Sequence, residues 1–488
     1  MQNNNLSRNL ILYSLLLIMI YSCARNPVTG RRQLMLMSTK QEIQMGREYD
    51  PQVIATFGEY EHEPLMNFIR QQGTEMGKLS HRPDLEYHFR ILDSPVINAF
   101  AVPGGYMYFT RGILAQFNNE AELVGVLGHE MGHITARHSV SRQSQQQLGQ
   151  LLLIGGMIAS EEFARYGQYA MAGMQLLFLK FSRDDERESD ELGAEYASKL
   201  GFDAKQMANF FEVLQKMNLE NQESAIPNFL STHPNPEDRY GSVLEYAETW
   251  QDSLDFNTWK VNRQSYLSML DGMVYGEDPR QGYVDGSVFY HPELKFQFPF
   301  PAGWQLENLP MQVRIGPSER NALIVFNIVD QNSLQEAAQT TLQQLELEVQ
   351  QTRNTTVNGM DAISAVSVQT SQNQSTGQPQ TIRVMSLFID DNGTYYAFHG
   401  VAPQEVFDQF QPSFEATMMN FDRLSDPSRI NVEPHRIRIV KAQNAGTLAE
   451  VFRRYNVPEE KMEEYAFLNN MALTDPVENG QMVKVVSQ

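Results

Sequence analysis

The sequence predicts a multidomain protein with three parts: a mainly α-helical domain with a small sheet and an edge strand, an α+β domain, and a small βααβ module. Its 488 residues exceed what one hydrophobic core usually organises. Helical apolar periodicity dominates up to residue 275, and strand-like alternation begins at residue 288. A linker rich in Gly, Asp and Pro, 276–287, separates these patterns. The predicted domains are therefore 23–275, 288–425 and 435–488.

Composition limits the partners that this chain can bind. Hydrophobic residues make up 42% of the sequence, which is sufficient for ordinary cores. The 59 acidic residues outnumber the 38 basic ones, for a net charge of −21. A charge of this sign argues against nucleic acid as a partner and against general adhesion to anionic lipid.

The first 22 residues are typical of an export signal. Arg8 precedes an apolar run, 10–21, which is too short for a comfortable membrane span. Cys23, the only cysteine, follows this run. The arrangement resembles a bacterial lipoprotein signal, with cleavage before Cys23 and lipidation of its thiol. The alternatives are a retained signal anchor and a buried terminal helix. The lipoprotein interpretation predicts a periplasm-facing protein of a Gram-negative envelope, tethered to the outer membrane through Cys23.

Two β-prone runs, 96–102 and 106–110, predict a hairpin because Pro103 and two glycines join them. An exposed strand edge can bind an extended peptide as an additional strand. The candidate residues for this edge lie in the first run: Asn98, Ala99, Phe100 and Ala101. Ordinary sheet core is the alternative for each of them.

The next apolar run is helical and carries His129, Glu130 and His133. Residues i and i+4 share one face of a helix, so both imidazoles can bind a single metal ion. This is the H-E-x-x-H pattern of zinc peptidases, in which the histidines are ligands and the glutamate is the general base. Asn119 with Glu122 predicts the start of the helix as a capping box. The alternative is a core helix with two hydrogen-bonded histidines.

A third metal ligand is expected from a distant acidic helix. Glu186 and Asp190 lie one turn apart, so Glu186 can reach the metal while Asp190 orients a ligand histidine. On spacing alone Glu188 competes with Glu186 as the ligand. His138 lies off the ligand face and is structural or supports a ligand. Apolar segments between these helices, 148–159 and 166–181, predict a helical hairpin that serves as a lid or as core.

These motifs resemble the gluzincin zinc metallopeptidase family of HtpX, CAAX prenyl protease and Oma type, especially its soluble periplasmic BepA-like members. The resemblance covers residues 26–275 and includes the strand segment 98–112. It implies a zincin-type fold with one zinc ion per chain. It also implies that Glu186, rather than Glu188, is the third ligand.

A His-Pro element, 231–239, extends the resemblance. In soluble members its histidine can occupy the open zinc position as a latency switch, and its arginine lies near the site. These roles would fall on His233 and Arg239, with either residue stabilising the oxyanion. The chain lacks the membrane-spanning helices of HtpX and the 34-residue helical repeats of BepA-like enzymes, so its partners can differ.

The resemblance implies an endopeptidase for misfolded or stalled polypeptides of the cell envelope, a role in protein quality control. The rival hypothesis is a non-catalytic lipoprotein that binds the cell wall or acts as a chaperone. The intact motif set favours the enzyme.

The two C-terminal parts carry no catalytic constellation. The segment 288–425 is similar to small sheet domains of Mog-one or PsbP type, and His291 and His399 in it are interpreted as structural. The segment 435–488 resembles a LysM module, which implies peptidoglycan as a partner. An interaction module without glycan binding is the alternative, because fold does not determine function.

Overall fold

Helices and sheets occupy different parts of this chain. The computed structural model describes residues 23–154, 181–218, 229–233, 239–372 and 379–488. One unit contains the described residues up to Ile54 together with Gly58–Gly276 and His435–Ser487, and the other consists mainly of Glu277–Pro434. Helices dominate the first unit and sheets the second, which confirms the predicted multidomain architecture. The predicted signal and most of the predicted helical hairpin lie outside the described residues. Within the described ranges, no helix combines the length and apolarity needed to cross a bilayer.

The N-terminal part of the first unit is built mainly from helices. Its elements are β1 (Cys23–Arg25), β2 (Arg32–Leu34), α1 (Thr39–Phe57), α2 (Glu63–Leu79), β3 (His88–Leu92), β4 (Ala99–Val102), β5 (Tyr106–Thr110), α3 (Arg111–Gln116), α4 (Glu120–Thr135), α5 (His138–Ile154), α6 (Arg183–Lys199), α7 (Gln206–Asn218), α8 (Phe229–Thr232), α9 (Arg239–Asp252) and α10 (Arg263–Leu270). Every side chain of α4 is buried, so this helix forms the centre of the core.

A three-stranded sheet lies beside this core, in the order β3-β5-β4. Strand β4 runs antiparallel to β5, with Ala99 opposite Phe109. The turn between them uses Gly104 and Gly105 at φ of +91° and +99°, which only glycine adopts readily. The predicted hairpin is confirmed, and β4 occupies a sheet edge.

The second unit contains two antiparallel sheets, as expected for an α+β domain. Its elements are β6 (Tyr283–Asp285), β7 (Val288–His291), β8 (Phe296–Pro299), β9 (Gln305–Leu309), β10 (Gln312–Gly316), β11 (Leu323–Val329), α11 (Leu334–Gln344), β12 (Glu348–Val357), β13 (Met360–Gln372), β14 (Pro379–Asp391), β15 (Thr394–Pro403), α12 (Phe407–Met418), β16 (Asp422–Arg423) and α13 (Pro427–Ile430). The larger sheet has the order β12-β13-β14-β15-β11-β10-β9, and the smaller has the order β16-β8-β7-β6. Phenylalanines of both sheets share one hydrophobic core.

The segment predicted as a linker, 276–287, contains β6. This strand joins the smaller sheet, with Tyr283 opposite Tyr290. Gly286 makes the connecting turn at φ of +63°. The composition of a tight β-turn resembles that of a linker, which explains the difference between the sequence pattern and the structure.

The C-terminal segment has the predicted β-α-α-β order with two additional short strands. Its elements are β17 (Arg436–Lys441), β18 (Gly446–Thr447), α14 (Leu448–Arg454), α15 (Met462–Leu468), β19 (Pro476–Val477) and β20 (Met482–Ser487). Strand β17 pairs antiparallel with β20, and β18 pairs with β19. The apolar residues of α14 belong to the same hydrophobic cluster as those of α4. This segment is therefore part of the first unit.

A buried lysine joins the C-terminal segment to the core. The Nζ of Lys484 in β20 donates to the carbonyl oxygens of Ala115 and Phe117, at 2.7 and 3.0 Å. These carbonyls lie at the end of α3, directly before α4. Burial lowers the pKa of Lys484 well below its ordinary value, while the nearby carboxyl of Glu122 raises it. The lysine satisfies carbonyls that would otherwise lack a donor.

We expect Lys484→Ala to lower the free energy of unfolding by about 2–3 kcal/mol, because buried carbonyls lose their donor. Urea unfolding measures the change. Lys441→Ala, at an exposed position of β17, is the control and should stay within about 0.5 kcal/mol of the parent. Equal losses in the two variants would contradict a structural role for the Lys484 contacts.

Candidate metal centre

Helix α4 presents two histidines to one point of the core. Asn119 caps the helix by accepting a hydrogen bond from the backbone nitrogen of Glu122 at 2.9 Å, as predicted. His129 and His133 are 0% and 2% exposed. Their Nε2 atoms are 3.0 Å apart, which brings both imidazoles to the same place.

Helix α6 packs closely against α4 and brings the third candidate ligand. Ser182 caps α6 with a capping box to Asp185. A Cβ added at Gly128 of α4 would lie 3.0 Å from the Cα of Gly193 in α6, so a side chain there would force the two backbones apart by a few tenths of an ångström. Because of this close packing, the Glu186 carboxylate lies 3.6 Å from His129 Nε2 and 3.5 Å from His133 Nε2.

His233 completes a cluster of four buried donors. The described residues that could hold one metal ion are His129, His133, Glu186 and His233. The Nδ1 of His233 lies 3.2 Å from His129 Nε2 and 3.0 Å from a Glu186 oxygen. A tetrahedral zinc ion with bonds of about 2.0–2.1 Å has ligand atoms roughly 3.3 Å apart. Nitrogen and carboxylate donors at this spacing fit zinc, and the set joins three distant parts of the chain.

The ionisation of two of the candidate ligands, His133 and Glu186, suits a cation. Burial lowers the pKa of His133 well below its ordinary value, and the neighbouring histidines lower it further. Burial alone would raise the pKa of Glu186, but His233 and Arg239 outweigh it and lower the pKa. Neutral imidazole and ionised carboxylate are the protonation states that bind metal.

Asp190 and Arg239 orient the ligands from outside the cluster. Asp190 Oδ1 lies 2.9 Å from His129 Nδ1, so the imidazole can donate there while its Nε2 faces the cluster. Arg239 forms two hydrogen bonds with Asp190, at 2.8 and 2.6 Å, and its Nη1 lies 2.9 Å from Glu186. Sequence reasoning assigned Asp190 this supporting position. Arg239 is placed to hold two carboxylates, and its role toward the oxyanion stays a prediction.

His138 and Glu188 support the other histidine. The sequence predicted a structural or supporting role for His138 but did not link it to Glu188. The Nδ1 atoms of His138 and His133 are 3.0 Å apart, and His138 Nε2 lies 3.0 Å from Glu188 Oε2. With His133 Nε2 facing the metal site, its Nδ1–H donates to His138, and His138 Nε2–H donates to Glu188. Glu188 therefore faces His138 rather than the ligand cluster. Ser189, the residue after Glu188, also contacts His138. Spacing along the helix did not predict that Glu188 would face His138.

We expect His138→Ala to weaken zinc binding by roughly 10–100-fold, the usual effect of removing a ligand's supporting partner. Competition with a zinc chelator measures the affinity. The exposed His435→Ala variant, which lies outside the cluster, should bind as tightly as the parent. An unchanged zinc affinity in His138→Ala would show that the hydrogen bonds from His133 through His138 to Glu188 do not hold His133 in place.

Glu130 is the one carboxylate of this centre without a hydrogen bond. It is 0% exposed, and neither carboxylate oxygen has a hydrogen-bond partner among the described residues. The Nε2 of His233 lies 3.6 Å from Glu130 Oε1, close enough for an ion pair when the imidazole is protonated. Burial raises the pKa of Glu130, while His233 and His129 lower it. A buried carboxyl with raised proton affinity beside a metal site is suited to general base catalysis.

Two aromatic rings and a backbone contact position His233. Phe229 stacks on His233 with ring centroids 4.3 Å apart, and the tilted ring of Phe181 lies 5.4 Å from the His233 ring. The amide of Phe229 donates to the carbonyl of Ile97, two residues before β4 begins, at 3.0 Å. Helix α8 therefore brings the edge strand and His233 together. The loop that follows His233, 234–238, lies outside the described residues.

The remaining predicted site residues are placed as follows. Asn98 precedes β4, and its amide donates to Thr110 Oγ1 at 3.1 Å. Ala99, Phe100 and Ala101 lie in β4 at the sheet edge. Cys23 is the first residue of β1. Their roles in substrate binding and lipidation stay predictions.

Comparisons with known proteins agree with this geometry. The profile described as Peptidase family M48 matches residues 66–247. The beta-barrel assembly-enhancing protease of Yersinia pestis is 30% identical over 220 residues, covering 43% of this chain and 45% of that protein. The Mitochondrial metalloendopeptidase OMA1 of Schizosaccharomyces pombe is 26% identical over 244 residues, covering 48% of this chain and 71% of that protein. The chain spans about half the length of the beta-barrel assembly-enhancing proteases that it matches.

Among solved structures, cyanobacterial PsbP from Synechocystis aligns with a TM-score of 0.23 and 9% identity, covering 29% of this chain and 94% of that chain. A similarity of this size assigns no fold, so the PsbP-like domain stays a prediction.

The matched range, 66–247, contains all four clustered donors and Glu130. The complete candidate metal centre is therefore covered by the match. Residues 66–247, and with them the whole candidate metal centre, are therefore similar to Peptidase family M48.

Proposed function

We propose that this protein is a zinc-dependent endopeptidase with one zinc ion per chain. The observation that carries the proposal is the buried cluster of three histidines and Glu186, which lies beside the Glu130 carboxylate. That carboxylate has no hydrogen-bond partner among the described residues. His129, His133 and Glu186 would hold the metal in a zincin-type site. A bound zinc ion would stabilise negative charge on the scissile carbonyl oxygen and make a water molecule more acidic.

The residues of the chain divide the chemistry among them. Glu130 takes a proton from the attacking water as its oxygen bonds to the carbonyl carbon. It then passes the proton to the amine nitrogen as the C–N bond breaks. Strand β4 offers its edge to an extended substrate, with residues 98–101 in the binding position. Arg239 keeps Glu186 and Asp190 oriented, or assists at the oxyanion.

The substrates we propose are misfolded or stalled polypeptides of a bacterial envelope. Support comes from relatives named beta-barrel assembly-enhancing protease. The pattern around Cys23 supports a lipoprotein facing the periplasm, tethered to the outer membrane. The β-α-α-β order of 435–488 supports a LysM-like module with peptidoglycan as partner, although its packing in the first unit equally suits a structural role. A non-catalytic lipoprotein remains the rival hypothesis.

The test of this function uses an unfolded polypeptide such as casein and purified protein. We expect cleavage within the casein chain, loss of cleavage with a zinc chelator, and recovery when zinc is added back. Metal analysis should find about one zinc per chain, as four clustered donors bind one ion. Zinc-loaded protein that cleaves no polypeptide would favour the non-catalytic alternative.

We also propose that His233 keeps the enzyme latent by occupying the fourth metal position. Its Nδ1 already lies within 3.0–3.3 Å of other candidate ligands. While the His233 imidazole stays in the fourth metal position, it occupies the place that the attacking water needs.

Under latency, His233→Ala should raise basal casein cleavage, by about tenfold if some nine-tenths of the molecules are closed at rest. If His233 instead stabilises the oxyanion, the same variant should cleave more slowly. Zinc content should persist in either case, because three ligands remain. Initial rates decide between the two roles, with the exposed His435→Ala variant as the reference.

A further inference from the structure

Three exposed arginines concentrate positive charge on the β1–β2 hairpin: Arg25, Arg31 and Arg32. Arg25 and Arg32 are direct cross-strand partners, a position where like charges repel. Within the described ranges, the structure pairs none of the three with an acidic side chain, although the whole chain carries 59 acidic residues. The hairpin therefore differs in charge from the acidic protein around it and is suited to an anionic partner.

The hairpin is attached firmly to the end of the metal helix. Asn26 is 1% exposed, and its Oδ1 accepts a hydrogen bond from the Val28 amide at 2.7 Å. Its Nδ2 donates to the carbonyl of Ala136 at 3.3 Å. Ala136 follows His133 by three residues, or about 5 Å along a helix axis. A partner bound to the arginines would thus lie near the metal centre.

The signal-like pattern predicts that this hairpin starts at a bilayer. The apolar run 10–21 ends two residues before Cys23. If Cys23 is lipidated after cleavage, or if the run is retained as an anchor, Cys23 lies at the membrane surface. Three extended residues from Cys23 to Asn26 span at most about 10 Å. The folded unit therefore begins within a few residues of the predicted anchor.

We propose that the β1–β2 hairpin is a membrane-binding surface, in which Arg25, Arg31 and Arg32 contact the phosphates of anionic phospholipid headgroups. Guanidinium groups suit phosphate because they donate hydrogen bonds in a planar fork. The net charge of −21 opposes adhesion of the chain as a whole, so the contact is confined to this hairpin. The bound hairpin holds the metal centre beside the bilayer.

The test uses the chain from residue 23, which contains every residue that the structure describes, with Cys23→Ser to remove the lipid site. Flotation with vesicles of phosphatidylglycerol and phosphatidylethanolamine should recover the protein at low salt and lose it at high salt. Replacing the three arginines with glutamine should weaken this partition on the order of 100-fold, since each contributes about fivefold.

Two further variants make this result specific. Replacing Arg353, Lys441 and Arg453 with glutamine changes the charge equally at exposed positions elsewhere and should leave the partition unchanged. Replacing the hairpin arginines with lysine should retain binding, which separates charge from folding. Unchanged partition of the hairpin glutamine variant, or equal binding of the parent to neutral phosphatidylcholine vesicles, would overturn the proposal.

The consequence for catalysis rests on the proposed peptidase function. The hairpin glutamine variant should cleave a vesicle-tethered unfolded peptide more slowly than the parent and cleave free casein equally well. Equal cleavage of both substrates would overturn the membrane-proximal role. Cleavage of free casein by neither protein would instead contradict the peptidase function, so the two failures are distinguishable.

Discussion

Glu130→Gln is expected to lower the rate of casein cleavage by roughly 10²–10⁴-fold, the usual contribution of a general base. The glutamine has nearly the same size but cannot take a proton from water. Because Glu130 has no hydrogen-bond partner among the described residues, the change breaks no hydrogen bond that holds the fold. The loss should therefore appear in kcat. Initial rates over a range of casein concentrations measure it.

Zinc content and thermal unfolding identify the origin of this loss. Both should match the parent, since Glu130 lies outside the four clustered donors. Glu120→Gln is the matched control on the same helix, because its side chain only accepts a hydrogen bond from Asn262 at 2.6 Å. That variant should keep full activity. Parent-like cleavage by Glu130→Gln would remove Glu130 from the mechanism.

Glu186→Gln should weaken zinc binding by more than about 100-fold, beyond the range for losing a supporting partner. The change removes the anionic ligand and leaves an amide beside two imidazoles. Glutamine is preferred to alanine, because its oxygen can still accept from Arg239, which lies 2.9 Å from the carboxylate. An empty space there would leave a buried guanidinium less well paired, at a cost of several kcal/mol.

Metal analysis after dialysis against a chelator measures this effect. His129→Ala should lose zinc as well, since it removes a second member of the same cluster. Glu191→Gln, at an exposed position on the same helix as Glu186, should keep the parent's zinc content. Retention of one zinc per chain by both ligand variants would place the metal elsewhere.

The local features of this site follow from the sequence alone. The four-residue spacing of His129 and His133 places both on one helix face for geometric reasons, and the structure confirms the helix and its cap at Asn119. The Pro-Gly-Gly turn predicts the hairpin before it, because glycine adopts positive φ without strain. The alternating apolar pattern of the strands and the βααβ order of the C-terminal segment likewise depend on residues that are close together in the sequence. The family resemblance came from the same local motifs, and the profile match over residues 66–247 confirms it.

The tertiary structure alone decided which distant groups meet. Spacing permitted Glu186 or Glu188 as a ligand, and the family resemblance pointed to Glu186. The packing of α6 against α4 turns Glu186 to the histidines and Glu188 to His138. It also places Lys484 under the start of α4, across more than three hundred residues of sequence. Spacing along a helix determines which residues share a face, whereas the burial of apolar surface between helices determines what that face contacts. Contacts between helices depend on the whole core, so no local sequence pattern predicts them.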